Sequence, residues 1–132
     1  MKTPPNKVFF DYTKIDELVE ILAQKIQQSP LPIKSISGIP RGGLIPAVLL
    51  SHKLNIPYAS KINPNTLLVD DIVDTGETLK KTSALYTASL IYKPHTSVFV
   101  PTFSAYTHHT DEWIVFFWES LYAPAIQDYK NK

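Results

Sequence analysis

Between residues 13 and 29 the apolar positions fall on one helical stripe: Ile15, Leu18, Val19, Leu22 and Ile26 recur at i, i+3, i+4, i+7 and i+11. Thr13 is placed to cap this helix, with Asp16 three residues on. Pro30 and Pro32 stop it. Residues 1–7 read as a polar tail, and residues 33–37 as a strand that runs into the loop SGIPRGGL. A second helix is predicted over Leu44–Leu54, with Leu44, Ala47, Val48 and Leu54 inward. Pro46 fits there because the first helical turn needs no backbone donor. A short strand at 57–61 and a turn at Asn63-Pro64-Asn65 follow. Residues 66–72, TLLVDDI, are apolar without alternation until the acids, which predicts a strand buried on both faces. It ends in carboxylates and a glycine turn. A helix then opens near Glu77, with Leu79, Thr82 or Ser83, and Tyr86 as its inner face. Residues 89–93 and 113–117 read as further strands, and 97–100 as a segment that extends or crosses the sheet. Residues 103–112 read as a polar loop, and the chain from Ser120 onward is weakly patterned.

This alternation predicts an open α/β fold, a mostly parallel sheet flanked by helices, in a single domain over residues 1–132. Such sheets bind ligands at the carboxyl ends of their strands. Composition narrows the chemistry. Thirteen basic and twelve acidic residues leave a net charge of +1, with no electrostatic footprint for nucleic acid or an anionic membrane. Cysteine is absent, which excludes disulfides, thiolate metal sites and a cysteine nucleophile. No apolar run reaches the ~20 residues of a membrane span, and no leader pattern opens the chain, so a cytoplasmic location is expected. Glycine is sparse and concentrated: Gly38, Gly42 and Gly43 in one loop, Gly76 in another. Both loops sit at carboxyl ends of predicted strands, where backbone must approach a ligand closely.

The segment DDIVDTGETL carries the chemistry. Asp70, Asp71, Asp74 and Glu77 are four of the twelve acids, yet the turn beside them offers backbone N–H groups and the Thr75 and Thr78 hydroxyls to an anion. Four carboxylates would repel a phosphate unless they face another part of the ligand. Sugar hydroxyls and Mg²⁺ are what carboxylates hold well. The segment therefore reads as a grip on a phosphorylated sugar, with an acid-capped helix start as the plainer alternative.

An apolar run, two acids, three residues, then Thr-Gly-x-Thr-Leu, as in LLVDDIVDTGETL, resembles the signature of the type I phosphoribosyltransferases. The resemblance covers residues of about 8–119. It implies that Asp70 and Asp71 hold the ribose hydroxyls of phosphoribosyl pyrophosphate and help place Mg²⁺. It implies that the 5′-phosphate sits on Asp74, Thr75, Gly76, Glu77 and Thr78. SGIPRGGLIPAVLL is similar to the family's pyrophosphate loop, with Arg41 on pyrophosphate oxygens, Gly42 at the close approach, and a non-proline cis peptide near Arg41–Gly42. LIYKP and DEWIVFFWE resemble the purine branch, near the xanthine-guanine and hypoxanthine-guanine enzymes. There Lys93 donates to the purine O6, Trp113 stacks on the base, Ile114 backbone reads its edge, and Glu119 lies by the base and a second metal. Asp74 is the implied acid–base group, handling the proton at N7 of the base. Core packing for Trp113, and a solvated strand-end role for Lys93, stand as the alternatives, while Trp118 reads as core. His108 and His109 read as exposed loop residues, and His52 and His95 carry no motif.

Two departures from the family pattern stand out. Phe117 replaces the usual proline before the final Trp-acid pair. The long mobile loop before the motif strand is reduced to residues 62–65. Residues 103–112, with Ser104, Tyr106, His108 and His109, are expected to serve as a substitute lid, within a reduced base-binding hood over about 103–132 beside a core of about 8–102. The resemblance implies a 6-oxopurine phosphoribosyltransferase acting as a homodimer or higher oligomer. A non-catalytic donor-binding regulator and a phosphoribosyltransferase for another base are the other readings.

Overall fold

The computed structural model describes residues 6–119 and opens on strand β1 (Lys7–Phe10), within and just after the expected polar tail. Helix α1 (Tyr12–Gln27) buries the whole predicted stripe together with Ala23. Its cap is Asp11, not Thr13. Asp11 has the extended backbone a cap needs, and its Oδ1 accepts from Lys14 N at 2.9 Å, while Thr13 already lies inside the first turn. Strand β2 (Ser35–Gly38) is fully buried, and helix α2 (Leu44–Leu54) has the expected bounds. No full strand forms at 57–61. A single parallel bridge joins Tyr58 to Ile36, with Ile36 N donating to the Pro57 carbonyl and Ala59 N to the Ile36 carbonyl. Strand β3 (Thr66–Val73) follows a tight turn in which Asn63 N and Asn65 N donate to Thr66 Oγ1 and Asn63 Oδ1.

Helix α3 (Glu77–Lys80) is far shorter than expected. The Thr82 N–H and hydroxyl both turn back onto the Leu79 carbonyl, at 3.1 and 2.8 Å, and close the helix. Tyr86 is therefore not on a helix face; it begins strand β4 (Tyr86–Tyr92), opposite Leu67 of β3. Residues 97–100 do not join the sheet. The expected polar loop and lid at 103–112 is corrected in its first half, because Phe103–Thr107 is strand β5, while 108–112 is loop as expected. Phe103 and Ala105 alternate inward against the core, the period-two pattern of a half-buried strand, and Lys25 Nζ donates to the Ser104 carbonyl at 2.7 Å. A segment held in the sheet on these terms is no lid. Strand β6 (Trp113–Phe116) is the last strand among the described residues, followed by a turn through Glu119.

Strands β2-β3-β4-β5 form one sheet in that order, all parallel. β1 and β6 form a separate parallel pair, from Lys7 opposite Trp113 to Phe10 opposite Phe116. Leu67 and Val69 point into the large core with α1 and α2. Leu68 and Val73 point the other way, into a small cluster with Leu79. The second face is thin because α3 is so short. Among the described residues no helix is long and apolar enough to cross a membrane.

Candidate active site

The carboxyl ends of β2 and β3 and the inner edge of β6 enclose a cavity of about 580 Å³, within the range of small-molecule sites. The two glycine loops meet there. Asp70, Asp71, Asp74, Thr75, Gly76 and Thr78 line it from the β3 end, and Arg41 and Gly42 from the loop after β2. Lys93, at the end of β4 beside Val73, and Trp113, Ile114 and Glu119 from β6 and the turn after it, line the same cavity. Glu77 does not line the cavity; its side chain is exposed and its N–H lies 3.4 Å from Thr75 Oγ1.

Asp70 and Asp71 stand side by side in the last half of β3. Asp71 N donates to Asp70 Oδ1 at 2.8 Å, and Ile72 N to Asp71 Oδ1 at 2.8 Å. Burial, then the neighbouring Asp71 charge, holds the Asp70 carboxyl well above the usual carboxylate range. A ligand hydroxyl or a cation would relieve that crowding. The Arg41 loop presses onto the same acids: a Cβ on Gly42 would run into the Asp71 carboxylate. One bond earlier than expected, the peptide between Pro40 and Arg41 is cis. Gly76 takes φ +82°, the left-handed backbone a side chain would resist, so the turn into α3 needs glycine there.

Lys93 is only 8% exposed and its Nζ lies 3.5 Å from the Glu112 carbonyl. That burial is not the solvated strand-end lysine of the plainer alternative. Trp113, at 43% exposed, stands at the cavity rim rather than in the core. Trp118 stacks flat on Phe116 at 4.8 Å, and Phe117 meets Tyr12 edge-on at 5.7 Å, so the residue that departs from the family pattern is used in packing. Glu119 Oε1 accepts from Phe116 N at 2.9 Å, and burial raises its carboxyl above the ordinary value.

Sequence reasoning missed two residues here. Thr96 Oγ1 donates to Asp74 Oδ1 at 2.7 Å across 22 positions of chain, a contact no local pattern announces. His108 is buried rather than exposed. Its N–H donates to the Tyr92 carbonyl at 2.8 Å, and its Nε2 lies 2.9 Å from Thr110 Oγ1, which donates to Glu112 Oε1. Burial, then the Lys93 ammonium, depresses the His108 pKa, with His95 adding to this and Glu112 opposing it. The unfolded histidine takes up its proton near pH 6.5 and the folded one resists it. The unfolded state therefore binds more protons below that pH, and the stability present above it is lost as pH falls. Between pH 7.5 and 5.5 the melting temperature of the natural protein should drop further than that of His108→Leu. Equal slopes in thermal melts would show that His108 charges as readily folded as unfolded.

The fold and sequence both have relatives. No family model matches the chain. The structure of a purine phosphoribosyltransferase from Pyrococcus horikoshii superposes with a TM-score of 0.74 at 30% identity, covering 92% of this chain and 98% of that one. The xanthine-guanine-hypoxanthine phosphoribosyltransferase of Helicobacter pylori matches the fold with a TM-score of 0.72 at 21% identity, over 96% and 97% of the two chains. In sequence, the xanthine-guanine phosphoribosyltransferase of Cereibacter sphaeroides is 28% identical over 116 residues, covering 65% of this chain and 69% of that protein. Identity and fold held over nearly the full length of two chains, around a cavity built on the acid-tipped turn, give one conclusion: this chain belongs to the type I phosphoribosyltransferase family and is homologous to its purine branch.

Proposed function

We propose that the protein transfers the 5-phosphoribosyl group from phosphoribosyl pyrophosphate to a 6-oxopurine (guanine, hypoxanthine or xanthine), giving the nucleoside 5′-monophosphate and pyrophosphate. One observation carries this reading: the acid-tipped donor turn and the Lys93–Trp113 side open on the same cavity. The purine enzymes among the relatives support the choice of base.

In this reading the 5′-phosphate rests on the backbone of residues 74–78 and the Thr75 and Thr78 hydroxyls. Asp70 and Asp71 accept from the ribose hydroxyls. Arg41 pairs with the leaving pyrophosphate, where a fixed guanidinium fork suits planar anionic oxygens. Lys93 donates to O6 of the base, Trp113 stacks on its face, and the Ile114 backbone meets its edge. N9 attacks C1′ as the bond to pyrophosphate breaks, through an oxocarbenium-like transition state. Asp74 handles the proton at N7 as charge shifts in the ring.

The donor set suits Mg²⁺. Asp70, Asp71 and Glu119 offer hard carboxylate oxygens, and the crowded Asp70–Asp71 pair gains from a cation. Among the described residues Asp70, Asp71 and Glu119 are not gathered into a cluster of three metal ligands. These residues would hold it directly or through water, and once bound it neutralises charge on the leaving pyrophosphate. A cytoplasmic homodimer or higher oligomer completes the reading.

Initial rates with each 6-oxopurine, donor and Mg²⁺, run beside calorimetric donor binding, test it. Donor binding with 6-oxopurine turnover supports the proposal. Turnover with adenine, uracil or orotate alone would redirect it to another base. Binding without turnover on any base would select a donor-sensing regulator, the reading favoured by the tight turn at 62–65 in place of a mobile loop. Neither binding nor turnover would end both.

A further inference from the structure

The segment 93–99 runs from the base side of the cavity to the back of the donor turn. Thr96 N and Ser97 N both donate to the Lys93 carbonyl, at 3.3 and 3.1 Å, and so close a turn directly after Lys93. From that turn the Thr96 hydroxyl reaches Asp74, 2.7 Å from Oδ1 and 3.0 Å from the carbonyl oxygen. A third acceptor, the Lys93 carbonyl, is more distant at 3.5 Å. One proton serves one acceptor well, and the short contact to a carboxylate oxygen is the strongest of the three. Next along, Val98 N donates to the Thr75 carbonyl at 2.9 Å. A Cβ on Gly76 would lie 2.5 Å from Ser97 Oγ and 2.7 Å from Phe99 Cβ. Residues 74, 75 and 76 are thus each braced by the same short segment.

Asp74 itself is exposed at the cavity wall, so packing does not hold its side chain. An aspartate in that setting samples several rotamers, and a group that must meet a reacting atom gains from being held in one. We propose that Thr96 is a positioning residue for Asp74: its hydroxyl fixes one carboxylate oxygen and leaves the other for the base. This rests on the acid–base role given to Asp74 above.

Thr96→Val keeps the shape and removes the donor; Thr96→Ser keeps the donor. With Thr96→Val, kcat should fall about tenfold or more, the worth of a hydrogen bond to a charged group. Donor Kd and the melting temperature should stay close to those of the natural protein, because the backbone bonds from Thr96, Ser97 and Val98 remain. Thr96→Ser should recover most of the rate. In an Asp74→Asn background, Thr96→Val should cost no more than about twofold further, since the group it positions is already disabled. If Asp74→Asn is slow but Thr96→Val turns over normally, the positioning role is wrong and the role of Asp74 stands. A Thr96→Val that loses donor affinity in proportion to rate would show a brace for the loop alone, and would overturn the proposal. If Asp74→Asn itself turns over normally, the role of Asp74 fails and the positioning role with it.

Discussion

Asp74→Asn should lose about a hundredfold or more in kcat while binding phosphoribosyl pyrophosphate as tightly as the natural protein. General acid–base groups typically contribute about 10²–10⁴ to rate, and an amide cannot take up or return the N7 proton. The substitution is otherwise quiet. Asn keeps an Oδ1 that accepts from Thr96, and the backbone groups assigned to the phosphate are unchanged. Single-turnover rates with saturating donor and base, with calorimetric donor titration alongside, separate the two effects. An unimpaired kcat would remove Asp74 from the chemistry. An equal loss in donor affinity would make it a binding group instead.

A second substitution should move stability and affinity in opposite directions. Asp70→Asn should raise the melting temperature of the ligand-free protein and weaken donor binding about tenfold or more. The Asp70 carboxyl is buried against Asp71, and this arrangement penalises its charge. An amide removes the repulsion and still accepts from Asp71 N through Oδ1. A gain of about 1 kcal/mol at this chain length corresponds to roughly 3–5 °C. The loss in affinity follows from replacing a charged acceptor, assigned to ribose hydroxyls and to the metal, with a neutral one. Calorimetric melts and donor titration measure both. A lower melting temperature would mean that the carboxylate supports the fold. Unchanged affinity would mean that the donor does not use it. Functional sites often hold such destabilising charge, because the ligand and not the fold satisfies it.

Much of the frame was legible before any coordinates. The stripe Ile15–Leu18–Val19–Leu22–Ile26 faces the core because a period of 3.6 is a local property of the chain. The run ending in Asp70–Asp71 lies buried within the sheet because an apolar segment without alternation has no solvent face. The fold departs from the local pattern where that pattern is weak and a distant partner strong. Residue 7 reads as the end of a tail and residues 8–10 as no element, because their partner, 113–116, lies at the other end of the chain. Residues 103–107 looked like a polar loop, yet parallel pairing with β4 and contact with α1 make them a strand. The third helix stopped early because Thr82 satisfies the Leu79 carbonyl with its own hydroxyl. His108 looked exposed among polar neighbours, and pairing of the preceding strand carried it inside.

The amino-acid order alone specified the donor turn: strand, paired acids, glycine and threonines are contiguous, so their chemistry and backbone conformation are set over a few neighbouring bonds. The meeting of that turn with Arg41, Lys93, Trp113 and Glu119, and its bracing by Thr96, belong to the folded molecule. These groups are far apart along the chain, and their distances depend on which strands pair, in what register, and on how short the intervening helix is. No local periodicity encodes those choices; they follow from burying one shared core.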